Sequence, residues 1–85
     1  MFNVYPTISS GQKIVIEMFF SKPLDEVHIE FLDVNGFVMW VEVLEDLNGY
    51  RIFDWLPPSH MSGVYLLRLK SQHAVTSTKK VVITR

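Results

Sequence analysis

Met61-Ser62-Gly63-Val64-Tyr65-Leu66-Leu67-Arg68-Leu69-Lys70 is the stretch whose reading decides the fold. Tyr65, Leu67 and Leu69 alternate with Val64, Leu66, Arg68 and Lys70, the period of two that a β-strand imposes on its side chains. The first set is apolar apart from one phenol. The second begins apolar and ends in two cations, which predicts a face that starts covered and finishes in water. Gly63 stands where the chain turns out of the Pro57-Pro58 corner, in a backbone conformation that a side chain would resist. Tyr65, two residues later, is placed to pack in the core and to hydrogen-bond back to the corner.

The same period recurs on either side. Phe2 to Tyr5 is a short extended piece stopped by Pro6, and Thr7 to Gly11 reads as a polar turn. Lys13 to Phe20 puts Ile14, Ile16, Met18 and Phe20 on one face. Pro23 breaks the pattern, and Val27, Ile29 and Phe31 then alternate with Glu26, His28 and Glu30. Asp33-Val34-Asn35-Gly36 follows. Its Asn-Gly pair tolerates positive φ at both central positions of a hairpin turn, so it predicts a tight hairpin. Phe37 to Leu44 returns, with Phe37, Met39, Val41 and Val43 inward and Trp40 and Glu42 outward. A second Asn-Gly, at 48–49, precedes a run from Tyr50 to Trp55. After the corner and the opening stretch come a turn at 71–73 and a last strand from Thr76 to Arg85.

About seven strands at spacings near ten residues, with no helical pattern, predict an all-β fold. The architecture they suit is a seven-stranded Ig-like antiparallel β-sandwich. In such sandwiches a tyrosine at the start of the penultimate strand bonds back to the preceding corner, the role Tyr65 is placed to take. The expected core is Ile14, Ile16, Val27, Ile29, Phe31, Met39, Val41, Tyr65, Leu67 and Leu69.

Composition bounds the function. The 85 residues make one domain, and a chain this short buries only somewhat over ~60% of its unfolded surface. Apolar residues form 48% of it, too many for a disordered tail. There is no cysteine, hence neither a disulfide framework nor thiol chemistry. The net charge of -1 argues against a nucleic-acid footprint. No run approaches the ~20 apolar residues of a membrane span. Residues 1–6 lack the basic segment and apolar block of a signal peptide, so export would need an upstream segment.

No motif for chemistry emerges. His28, His60 and His73 lie on three different elements, without metal-ligand spacing. Ser59-His60 and Glu45-Asp46 are sequence neighbours, and on an extended chain neighbours point to opposite sides. Asp33 resembles the start of a calcium loop, but Gly36 follows Asn35 directly and a strand begins at once, so turn chemistry explains the segment better. A surface calcium site from Asp33 and Asp54 is the weaker reading. The expectation is a non-enzyme without cofactor or metal. Trp40 and Trp55 offer an alternative binding surface, since exposed tryptophans on a sheet stack on sugars. The competing use of both rings is to fill a small core.

Four segments together resemble the C-terminal sorting domains of the type IX secretion system (Por secretion system) of Bacteroidetes. They are Asn3-Val4-Tyr5-Pro6 with Gly11, then Asp33-Val34-Asn35-Gly36, then Met61 to Arg68, and the ending Lys79-Lys80-Val81-Val82-Ile83-Thr84-Arg85. The chain departs from the family's pattern in having Thr7-Ile8 after Pro6, Phe37 after Gly36, and a longer corner at 55–60. The resemblance implies a non-catalytic targeting domain at the end of a larger secreted precursor. It implies folding in the periplasm in transit, then secretion or display at the cell surface. The implied partners are the outer-membrane secretion machinery and a sortase-like protease. Gly63, Tyr65, Lys79, Lys80 and Arg85 are the recognition residues it points to, with Asp33, Asn35 and Gly36 as the turn motif. A carbohydrate- or peptide-binding module and an Ig-like structural spacer are the other classes these residues suit. A weak dimer through a sheet edge is compatible with all three.

Overall fold

The computed structural model describes residues 2–72, 74–76 and 78–85. Among these are six strands and no helix: β1 (Phe2–Tyr5), β2 (Ile8–Ser9), β3 (Ile14–Leu32), β4 (Val38–Trp55), β5 (Gly63–Ser71) and β6 (Lys79–Ile83). The all-β class is as the alternation predicts. The count differs from seven because two expected breaks lie inside strands. Pro23 falls within β3, and Asn48-Gly49 falls within β4 on the facing stretch. Pairing shifts between them: Phe20 faces Gly49, and the next pair is Leu24 with Leu47. Asp46 and Gly49 take positive φ of 55° and 70°. An irregularity of this kind is where a strand accommodates a proline that has no N–H to give. Ile8–Ser9, read as part of a turn, is instead a short strand parallel to β6. His73 of the expected turn and Ser77 of the expected last strand lie outside the described residues.

The irregularity reshapes the hairpin. At about 3.3 Å per residue, the 19 residues of β3 would span about 60 Å if straight, whereas the whole molecule is 38 Å at its longest. The β3–β4 hairpin therefore folds back on itself. Trp55 pairs with Ile14 at one end of β3, yet its ring stacks on Phe31 near the other end, centroids 3.9 Å apart. β1 runs antiparallel beside Val15–Met18, and β5 antiparallel beside Val27–Leu32. β6 lies beyond β5 and β2 beyond β6, so the order is β1-β3-β5-β6-β2 with β4 on the outer side of β3. Since Pro6 and Thr7 join β1 directly to β2, the sheet nearly closes on itself.

The interior holds Phe2, Val4, Ile14, Ile16 and Met18 from one half, and Val27, Ile29, Phe31, Tyr65, Leu67, Leu69, Val81 and Ile83 from the other. Eight of the ten expected core residues are buried. Met39 and Val41 are not: they are 50% and 42% exposed.

The reason lies at the hairpin tip. Gly36 N–H donates to Asp33 O at 3.0 Å, and Asp33 N–H donates to Phe37 O at 2.9 Å. Gly36, with φ 90°, is the one residue of this turn in the left-handed region. The tip is therefore a three-residue loop with a glycine bulge, not the two-residue turn with positive φ at both centres. A further irregularity follows, because Leu32 faces Val38 while Phe31 faces Trp40. Met39 is the extra residue. One extra residue inverts the parity of everything beyond it, so Trp40 joins Phe31 on the inner face while Val41 and Val43 turn outward.

Candidate functional site

β6 places the recognition residues expected from the sequence. It pairs antiparallel with β5, Gly63 opposite Ile83, Tyr65 opposite Val81, Leu66 opposite Lys80 and Leu67 opposite Lys79. Val81 and Ile83 are buried, so the alternate position Lys79 continues the inner face and Lys80 lies on the outer one. Lys79 sits at the open margin of the core, its Nζ 5.5 Å from the centre of the Phe2 ring. At an exposed site such a contact contributes about 0.5–1 kcal/mol. Lys80 is exposed. Both cations are accessible, as expected.

Arg85 is exposed like the two lysines, and its guanidinium is in addition tied to the corner: Nε donates to Met61 O at 2.9 Å and Nη2 donates to Pro57 O at 2.8 Å. A planar guanidinium with several donors suits a corner that leaves carbonyls unpaired. A Cβ added at Gly11 would lie 3.6 Å from Arg85 Nη1, so the Gly11 backbone closes over the guanidinium. Thr84 and Val82 fix the strand that carries it, donating their N–H groups to Ser9 O at 2.7 Å and Thr7 O at 2.8 Å.

Tyr65 is buried to 8% exposure, and its hydroxyl donates to Ser62 O at 3.2 Å. That is the bond back to the corner that the opening stretch predicts. Gly63, with φ 113°, supplies the left-handed step out of the corner that other residues resist. Asp33 is committed to its turn, since Oδ1 accepts from the N–H groups of Asn35 at 2.9 Å and Phe37 at 3.0 Å. With Leu32 beside Leu66, Gly63 beside Ile83 and Ser9 beside Ile83, four features share one end of the sheet. These are the 33–36 turn, the start of β5, the end of β6 and the Ser9–Gly11 bend.

The tryptophan surface is a correction. Trp55 is 3% exposed beneath Phe31, and Trp40 packs against the core with its ring centre 6.3 Å from that of Trp55. Neither forms an open platform, because the bulge at Met39 turns Trp40 inward and the fold-back covers Trp55. Asp54 pairs with Lys13 at 3.2 Å, so neither carboxylate of the weaker calcium reading is free. Among the described residues, no group of three or more His, Asp and Glu comes together to hold a metal ion. No helix among them is long and apolar enough to cross a membrane.

Sequence reading missed three features. One is the buried Glu30, whose Oε1 accepts from Arg68 Nε at 2.7 Å across β3 and β5; opposite charges on two alternating strands were the available signal. A second is the outward apolar row of β4. The third is a cluster around Glu17. Tyr50 O–H and Asn3 Nδ2–H both donate to the Glu17 carboxylate, and the bond to Glu17 pushes the Tyr50 phenol up to about 12.

Comparisons of the chain with protein-family models, with curated proteins and with solved structures find no match.

Proposed function

We propose that the chain is a non-catalytic C-terminal sorting domain, an address that directs a secreted cargo across the outer membrane through the type IX secretion system. Its folded-back sheet is then the two layers of an Ig-like sandwich. Divided at the irregularity, β3 and β4 give two segments each, and with β1, β5 and β6 these make seven. The Tyr65–Ser62 bond serves as the sandwich's tyrosine corner. The resemblance of four sequence segments supplies the functional reading.

One observation carries it further. The four segments are far apart in the chain, yet all reach one end of the sheet, and three of them meet at one side chain. Arg85 of the last segment bonds Met61 of the third and lies under Gly11 of the first. The tip of the Asp33–Gly36 turn belongs to the same end. A transport receptor reading a folded label needs such a composite surface, rigidly held and formed only when the domain has folded. Lys79 and Lys80 stand beside it as accessible cations. The implied partners are the outer-membrane machinery and a sortase-like protease, with the periplasm as the place of folding.

The test is export of a fluorescent reporter carrying a signal peptide and this domain at its C-terminus, in a Bacteroidetes host. The reading expects reporter at the cell surface or in the medium with the domain, and in the periplasm without it. Periplasmic retention of the reporter with the intact, folded domain attached refutes it.

A further inference from the structure

The outer face of β1, β3 and β4 carries a cluster that the sorting reading does not use. Cross-strand pairing sets Asn3, Glu17 and Ile52 in one row, Tyr5, Val15 and Asp54 in the next, and Phe19 beside Tyr50. These residues alternate with the buried Val4, Ile16, Met18 and Trp55, so they face away from the core. Tyr5, Phe19, Tyr50 and Ile52 are all about half exposed. Four large apolar side chains on so small a patch exceed what scattered surface residues explain.

Glu17 stands at the centre of this patch. Its carboxylate accepts from Tyr50 O–H and, at 3.5 Å, from Asn3 Nδ2–H. Among the described residues, Lys13 pairs with Asp54, Arg68 pairs with Glu30 and the His28 ring meets Glu26; none of these contacts includes Glu17. At the rim, Lys13 and Asp54 neutralise one another. One uncompensated negative charge therefore lies among three aromatic rings. The hydrogen bond to Glu17, together with burial and the nearby negative charge, raises the Tyr50 phenol to about 12 and so disfavours a second negative charge there.

Charge decides between occupants. An anion is repelled. A second copy set face to face would bring like carboxylates together. A neutral saccharide would use the rings but leave the charge uncompensated. A guanidinium satisfies both parts, because it stacks flat on aromatic faces and donates charge-assisted hydrogen bonds to a carboxylate.

We propose that this face docks a partner polypeptide through an arginine side chain, bonded to Glu17 and stacked on the ring of Tyr50, whose hydroxyl bonds the same carboxylate. The inference is independent of the sorting role.

The experiment maps amide shifts by heteronuclear NMR on the full chain during titration with the peptide acetyl-Gly-Arg-Gly-amide. Its counterpart carries citrulline, the neutral near-isostere of arginine. The arginine peptide is expected to shift the amides of residues 3–5, 15–19 and 50–54, and the citrulline peptide to bind about two- to five-fold more weakly, the worth of one exposed cation–π or ion-pair contact. Glu17→Gln is expected to weaken the arginine peptide by a similar factor, with peak dispersion reporting that the fold persists. Glu45→Gln, the same charge change on the other half of the hairpin, leaves binding unchanged. Equal binding of the two peptides overturns the proposal without recourse to any variant. So do equal losses in the two variants, shifts confined to another face, or xylohexaose shifting these amides where the arginine peptide does not.

Discussion

Phe31 and Trp55 belong to opposite ends of the β3–β4 hairpin, so the contact between them exists only if the hairpin folds back. Phe31 is fully buried and stacks on Trp55 at 3.9 Å with 22° between the planes. Truncating a buried phenylalanine to alanine costs about 3–5 kcal/mol through lost transfer energy and the cavity left behind. At roughly 0.05–0.15 kcal/mol per residue, an 85-residue chain has only about 4–13 kcal/mol of stability. Phe31→Ala should therefore leave the domain marginal or unfolded. A milder cycle isolates the stack: Phe31→Leu, Trp55→Leu and the double variant, unfolded in urea and followed by circular dichroism. The expected coupling energy is about 0.5–1.5 kcal/mol, the usual worth of an aromatic pair beyond its buried area. Additive single effects in a cooperative transition would mean that the rings do not touch, and the folded-back hairpin would be wrong.

The face assignment of β4 predicts that Val41→Lys changes stability by less than about 0.5 kcal/mol, because surface substitutions usually do, whereas Ile29→Lys prevents folding; a thermal melt distinguishes them. Arg85→Gln removes charge-assisted bonds to two corner carbonyls and should lower stability by about 1–3 kcal/mol, or roughly 4 °C or more in Tm for a domain of this size. An unchanged melt would mean that the bonds of Arg85 to the corner carbonyls contribute nothing to the fold. The phenol of Tyr50, raised to about 12 by its bond to Glu17, should ionise well above the ordinary phenol range on alkaline titration followed by phenolate absorbance. A folded-state value above the ordinary 10 means that its contribution to stability is complete below pH 10 and is lost as pH rises through about 12. Glu17→Gln should bring it back toward 10.

Much of this architecture is legible in the chain, and the exceptions share a cause. β5 reads correctly because Gly63 and the alternation from Tyr65 to Leu69 are local signals, and so does the tip at Gly36. Asn48-Gly49 carries the same dipeptide as the tip. What makes one a turn and the other an irregularity is the strand lying opposite, which no local window contains. The reversed face of β4 is similar: Met39, Val41 and Val43 are as apolar as Trp40 and Leu44. One extra residue at Met39 decides between the two sets. Of the candidate site, Tyr65, Lys79 and Lys80 could be placed from the pattern of their strands. Arg85 could not, because its partners Pro57 and Met61 come together with it only in three dimensions.

The most direct test of the account separates fold from address. Lys79→Glu with Lys80→Glu reverses the two accessible cations without touching a buried position or the Arg85 bonds. The doubly reversed domain should melt as the parent does, to within about 1 kcal/mol for the lost contact with Phe2. Attached to a reporter in a Bacteroidetes host, it should leave that reporter in the periplasm while the parent domain delivers it to the surface or the medium. Export at the parent's level by the folded, reversed domain would contradict the claim that these residues form part of the address.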